Sequence, residues 1–119
     1  MNTKQTGQQG EEQAAQFLVK KGYKILARNF STPQGELDII ACYQKTLVFV
    51  EVKARAYEAF GGPLAAVTLA KQKRLALAAQ QYIKMKSPKF DRIRFDVICI
   101  LPGKAEHLEN AFLPARTNL

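Results

Sequence analysis

Histidine and cysteine are scarce in this chain, which holds one His and two Cys among 119 residues. Cys42 and Cys99 each sit in an apolar segment, with no C-x-x-C pair and only His107 to complement them. That argues against a zinc site and against a disulfide framework, and leaves two reduced thiols acting as small core hydrophobes. No apolar run approaches the roughly 20 residues needed to span a bilayer, and the polar opening MNTKQTGQQGEEQ lacks the apolar stretch of a signal peptide. A soluble, cytoplasmic protein is expected. Repeats and low-complexity stretches are missing too, and 47% hydrophobic with 24% charged residues is ordinary globular composition. A single domain over residues 1–119 is therefore expected, with loose ends at 1–8 and 114–119.

Acidic residues are also few: 10 Asp and Glu against 18 Lys and Arg give a formal net charge of +8. The excess is uneven, because residues 61–119 hold ten of the basic and only four of the acidic side chains. A balance of this kind favours a polyanionic partner, DNA foremost, since neutralised phosphates release counterions and the field steers association. Solubility alone is the plainer reading of the same charge.

Helical spacing of Ala14, Ala15, Phe17, Leu18 and Val19 predicts a first helix over 7–21, with Glu11 and Glu12 in its first turn at the positive end of the dipole. Gly22 stops it, YKILARNF alternates as a strand, and STPQG is a turn. GELDIIACY (35–43) and LVFVEVKAR (47–55), joined by the short QKT, predict an antiparallel pair. Thr68 caps a second helix that runs to about Lys86 and is stopped by Ser87-Pro88. Its inward stripe is Leu75, Ala79, Tyr82 and Ile83, with Lys71 and Arg74 on a neighbouring face. RIRFDVICI is a further strand, followed after Pro102-Gly103 by a weaker strand or extended tail, EHLENAF. This order predicts an α/β sandwich around a mixed central sheet flanked by helices.

The two central strands raise the functional question. They read as buried, yet they carry Glu36, Asp38, Glu51 and Lys53, and a charge in an apolar strand needs a partner, a metal or solvent. Alternation puts Glu51 and Lys53 on one side, and gives Glu36 and Asp38 a shared side. Counting back from a turn centred near Gln44 and Lys45, Asp38 opposes roughly Glu51, and such neighbours have Cβ atoms about 4.5–5.5 Å apart. Two carboxylates so placed would grip a hard cation, Mg²⁺ or Mn²⁺, with the Val52 carbonyl completing a half-shell and positions left for phosphate oxygens. Lys53 would then orient or help activate the attacking water and stabilise transition-state charge. The same groups also read as a partly buried ion pair or as a solvated face, and the residues alone leave all three readings open.

Around this set, Glu36 reads as an auxiliary metal or water contact or as a fringe charge. Arg55, Lys71 and Arg74 read as contacts to nucleic-acid phosphate, with a solvated helix face as the alternative for the last two. Asp96 is expected to pair with a neighbouring Arg or Lys rather than with a metal, and His107 lies in the tail without a visible partner.

GELDII followed by FVEVKAR resembles the divergent active-site pattern of the PD-(D/E)xK nuclease superfamily. More closely, the chain resembles the YraN-like uncharacterised protein family from end to end. The matching pieces are GEEQAAQFL, GYKILARNF, GELDIIA, LVFVEVKAR, FGGP, KQKRLALAAQQYI and RFDVICI, which cover most of residues 10–112. The resemblance implies a three-layer restriction endonuclease-like fold, similar to Holliday-junction resolvases, and a role around DNA. It implies Asp38, Glu51 and Lys53 at the metal-binding and catalytic positions, and Glu11 as a further, water-mediated metal contact. Leu37 stands where the superfamily name has proline. Three functions compete: a Mg²⁺- or Mn²⁺-dependent DNA endonuclease acting on branched or damaged DNA, a non-catalytic nucleic-acid-binding module working with a partner protein, and a protein-interaction domain whose carboxylates form structural salt bridges. Two-fold symmetric DNA would suit a homodimer.

Overall fold

A computed structural model describes residues 3–53 and 67–112. The tightest local instruction lies between β2 (Gly35–Tyr43) and β3 (Thr46–Lys53). Gln44 and Lys45 both take positive φ, 47° and 66°, as a two-residue turn must when its twist is to match the strands it joins. The register follows from Tyr43↔Thr46 back to Ile39↔Val50. The expected limits of β2 hold as drawn; Arg55, placed by sequence just past β3, lies outside the described residues.

The first helix, α1 (Thr3–Lys20), begins earlier than its apolar spacing predicts. Residues 3–8 are helical, and Glu11 and Glu12 therefore sit in mid-helix rather than in a first turn that holds no acid. The Gln-, Glu- and Lys-rich stretch has high helix propensity, enough to carry two glycines that cost roughly 1 kcal/mol each. The stop at Gly22 (φ 94°) is a paired cap: the Tyr23 N–H donates to the Leu18 carbonyl and the Gly22 N–H to that of Val19, both at 3.0 Å. β1 (Lys24–Thr32) then pairs antiparallel with β2.

The second helix, α2 (Leu69–Lys86), has the expected ends: the Thr68 hydroxyl accepts from the Lys71 N–H at 3.2 Å, and Ser87 closes it in the left-handed region. It carries the chain from β3 back to β4 (Arg92–Leu101), the one parallel neighbour, and β5 (Lys104–Leu108) returns antiparallel. The sheet order is β1-β2-β3-β4-β5, mixed as expected.

Each sheet face is covered by one helix. On one side Leu37, Ile40, Leu47, Phe49, Phe95 and Val97 pack with Leu75, Ala79 and Tyr82 of α2. On the other, Ile39, Ala41, Val48, Val50 and Ile98 pack with Ala14, Ala15 and Leu18 of α1. The result is a three-layer α/β/α arrangement, consistent with a restriction endonuclease-like fold. Among the described residues no helix is long and apolar enough to cross a membrane.

The α1 face also holds a buried polar knot. Asp96, fully buried, accepts from Arg94 Nε and Nη2 at 2.8 Å and from the Asn110 N–H at 2.9 Å, so it pairs with arginine as expected. His107, read from sequence as partnerless, lies 2.7 Å from the same carboxylate through Nε2. The correction is one of register: β5 sets His107 opposite Ile98, on the face that Asp96 shares two residues along β4. The Lys21 ammonium sits 2.7 Å from His107 Nδ1, and since an ammonium only donates, the imidazole proton belongs on Nε2, facing Asp96. Burial pushes the Asp96 carboxyl up, but hydrogen bonds from His107, Arg94 and the Asn110 N–H outweigh it and hold it below the usual carboxylate range.

Candidate active site

The ladder between β2 and β3 runs as far as Ile39↔Val50. One step on by the same register stand Asp38 and Glu51, as counting along the strands predicts. Here a side chain replaces the ladder: the Val52 N–H donates to Asp38 Oδ2 at 2.8 Å. In an antiparallel pair the N–H and C=O of one residue share an edge, so the Val52 carbonyl also lies on the edge facing Asp38. A gap opens between the strands, lined by carboxylate and main-chain oxygen.

Two charges meet in that gap. Burial and the neighbouring Glu51 carboxylate push the Asp38 carboxyl up to about 7, against the opposing Val52 N–H. Glu51 is itself buried. Its Oε1 lies 3.7 Å from Lys53 Nζ and 3.1 Å from Lys71 Nζ. Burial pulls the Lys53 ammonium below its usual range despite the attraction of Glu51, with the adjacent Lys71 adding to the effect. For Lys71 burial acts the same way, but Glu51 outweighs it and holds the group above the usual lysine range. Of the two, Lys53 gives up its proton more readily.

Lys71 was expected as an outer phosphate contact; the structure sets it against Glu51. The crossover explains this, because a helix following β3 starts near the C-terminal end of that strand, where Glu51 and Lys53 stand. Glu11 reaches the same region from α1, one turn before Ala14 and Ala15, and burial pushes its carboxyl up while Asn29 opposes and Glu36 and Glu51 add to the rise. Among the described residues no three His, Cys, Asp or Glu side chains converge on a single point, so Glu11 stands as an outer carboxylate. Glu36 is exposed and accepts from the Ser31 hydroxyl at 3.2 Å. Arg74 is exposed on α2, and its Cβ lies 3.5 Å from where a side chain on Gly35 would begin, at the entry to β2.

Asn29 was not anticipated as part of this region. Its positive φ of 52° within β1 suits an Asn, which tolerates the left-handed region better than most residues, yet nothing local in the sequence connects it with Glu11. The donor set of Asp38, Glu51 and the Val52 carbonyl is all hard oxygen, and Mg²⁺ commonly takes one or two carboxylates with several waters. The raised Asp38 carboxyl agrees electrostatically, since two carboxylates in a partly buried space repel one another and a cation relieves that repulsion.

Comparison with known proteins places this geometry in a lineage. A family model described as uncharacterised protein family UPF0102 matches residues 10–100. A UPF0102 protein of Dictyoglomus thermophilum is 45% identical over 118 residues, spanning 94% of this chain and 100% of that protein. Relatives from Thermodesulfovibrio yellowstonii (47% identical, 89% of this chain and 94% of the relative) and Syntrophomonas wolfei (48%, 92% and 98%) share the same family name. On the family match and on these relatives, the chain belongs to the UPF0102 family, the YraN-like proteins.

Proposed function

We propose that this protein is a metal-dependent nuclease that hydrolyses phosphodiester bonds in DNA, branched or damaged DNA being its substrate class. The observation that carries the reading is the meeting of Asp38 and Glu51 where the β2–β3 ladder ends, with Lys53 Nζ 3.7 Å from Glu51. Asp38, Glu51 and the Val52 carbonyl would hold Mg²⁺ or Mn²⁺. Such an ion, when bound, supplies Lewis-acid stabilisation of the charge that develops on phosphate.

The rest of the chemistry belongs to the chain. Lys53, eased toward its neutral form by burial, positions the attacking water and accepts its proton at Nζ. Lys71 keeps positive charge beside Glu51 while that proton moves. Glu11 orders water at the edge of the site. The net charge of +8 draws the polyanion in.

The test is incubation with flap, four-way junction, single-stranded and plain duplex DNA in Mg²⁺ or Mn²⁺. Cleavage of at least one substrate is expected, reduced about a hundredfold or more in Asp38→Ala and Lys53→Ala. One observation favours a second reading, a non-catalytic nucleic-acid-binding module: two ammonium groups already partner Glu51, which leaves the cluster nearly self-neutral. Binding without cleavage of any substrate decides for that module.

A further inference from the structure

The proposed site accounts for Lys53 and Lys71 but leaves most of the positive charge unassigned, and a share of it with no acid to balance it lies along one helix. α2 carries five basic residues and no acidic one. Because β3 and β4 are parallel, α2 runs back from the site end of β3 to the opposite end of the sheet, where β4 begins. Lys73 and Lys84 are both exposed and eleven residues apart, close to three full turns, so they lie on one line of the helix surface roughly 16 Å apart.

Lys86 ends the helix, and the chain then returns to the β2–β3 turn, where the Asp91 N–H donates to the Lys45 carbonyl at 2.7 Å and Arg92 pairs with Thr46. Lys45, Lys89 and Arg92 are exposed there. None of Lys45, Lys73, Lys84, Lys86, Lys89 and Arg92 joins an ion pair among the described residues, whereas Lys104 pairs with Glu106 and Arg28 with Glu12 on the far side of the molecule. The α1 helix balances Lys4 and Lys20 against Glu11 and Glu12.

We infer that the outer surface of α2, continued by Lys89 and by Lys45 at the β2–β3 turn, is a phosphate-binding track that seats the backbone of the nucleic acid from the site to the far end of the sheet. The inference deepens the proposed function and rests on it. From Lys71 to Lys86 the helix is roughly 22 Å long, enough for six or seven phosphates at about 3.4 Å per strand step. Along α2 the track has a single sign of charge and no exposed aromatic side chain, so it reads backbone rather than sequence.

The test is fluorescence anisotropy of the full chain with a 24-base-pair duplex in EDTA, between 50 and 200 mM salt, so that cleavage plays no part. Lys73→Ala with Lys84→Ala removes two contacts from a solvent-facing line; its expected log–log salt slope is shallower by about 1.8, and wild type loses about tenfold more affinity than the variant across that salt range. Lys20→Ala with Lys104→Ala takes the same charge from the α1 side and is expected to leave the slope near that of wild type. Circular dichroism and a thermal melt confirm the fold of both. A wild-type slope in the Lys73/Lys84 variant, or an equal loss in the Lys20/Lys104 variant, overturns the track even if wild type cleaves DNA. A track-dependent slope in a protein that cleaves nothing overturns the nuclease reading alone. No binding of duplex or single strand by wild type overturns both.

Discussion

Asp38 and Asp96 are two carboxyls taken out of water on β2 and β4, either side of β3, and their environments push them in opposite directions. Asp38 has one N–H donor and a carboxylate beside it, and is pushed up to about 7. Between the ordinary carboxylate range and that value the metal-free folded protein binds more protons than the unfolded chain, so its stability falls as pH rises from about 4 to 7. Asp38→Asn removes that dependence. In EDTA the variant is expected to gain on wild type by an amount on the order of 2 kcal/mol between pH 4.5 and pH 8, measured by urea unfolding. At pH 8, added Mn²⁺ is expected to reverse the order by stabilising wild type only, and below pH 7 its affinity falls as protons compete for Asp38. Asp96 behaves oppositely: its depressed carboxyl contributes stability above the ordinary carboxylate range, lost as pH falls through the folded value. Asp96→Asn leaves the Arg94 guanidinium with only the half-exposed Glu109, 3.3 Å away, as a charged partner and is expected to cost about 3 kcal/mol at pH 7 by the same assay.

At the scale of elements, the hairpin that aims the site is held by a turn whose geometry its residues only tolerate. Gln44 and Lys45 both sit at positive φ, where Asn and Gly are favoured. Gln44→Asn with Lys45→Gly is expected to raise stability by about 0.5–1 kcal/mol in urea unfolding. The register fixed by this turn brings Asp38 level with Glu51, so a two-residue loop sets the spacing of carboxylates at the far end of the strands. α2 is set as firmly by Thr68 and Ser87, and its first turn delivers Lys71 to Glu51. Element and site are linked at that point: the crossover needed to place β4 parallel to β3 is also what brings a second lysine to the carboxylate.

For the whole molecule, the two layers of packing are unequal in kind. On the α2 side an aromatic cluster joins helix to sheet: Phe49 meets the Tyr82 ring edge-on at 6.2 Å and stacks on that of Phe95 at 5.4 Å. Phe49→Ala is expected to cost about 3–5 kcal/mol and to be seen as a lowered urea midpoint with an unchanged slope. On the α1 side small residues, Ala14 and Ala15, let the helix approach the sheet, with the Asp96 knot at one end and Glu11 at the other. Charge is split across the same layers, all basic along α2, where Lys71 pairs with Glu51, and balanced along α1. The sequence by itself determined both helix ends of α2, the Gly22 stop, the limits of β2 and the opposition of Asp38 to Glu51. Capping, left-handed stops and strand alternation act over a few residues and are written locally. Only the tertiary structure decided that Lys71 lies against Glu51, that Glu11 enters beside Asn29, and that His107 closes on Asp96. Each of these depends on how a helix or strand distant in sequence settles on the sheet, where burial and the pairing of charge, rather than local preference, fix the partner.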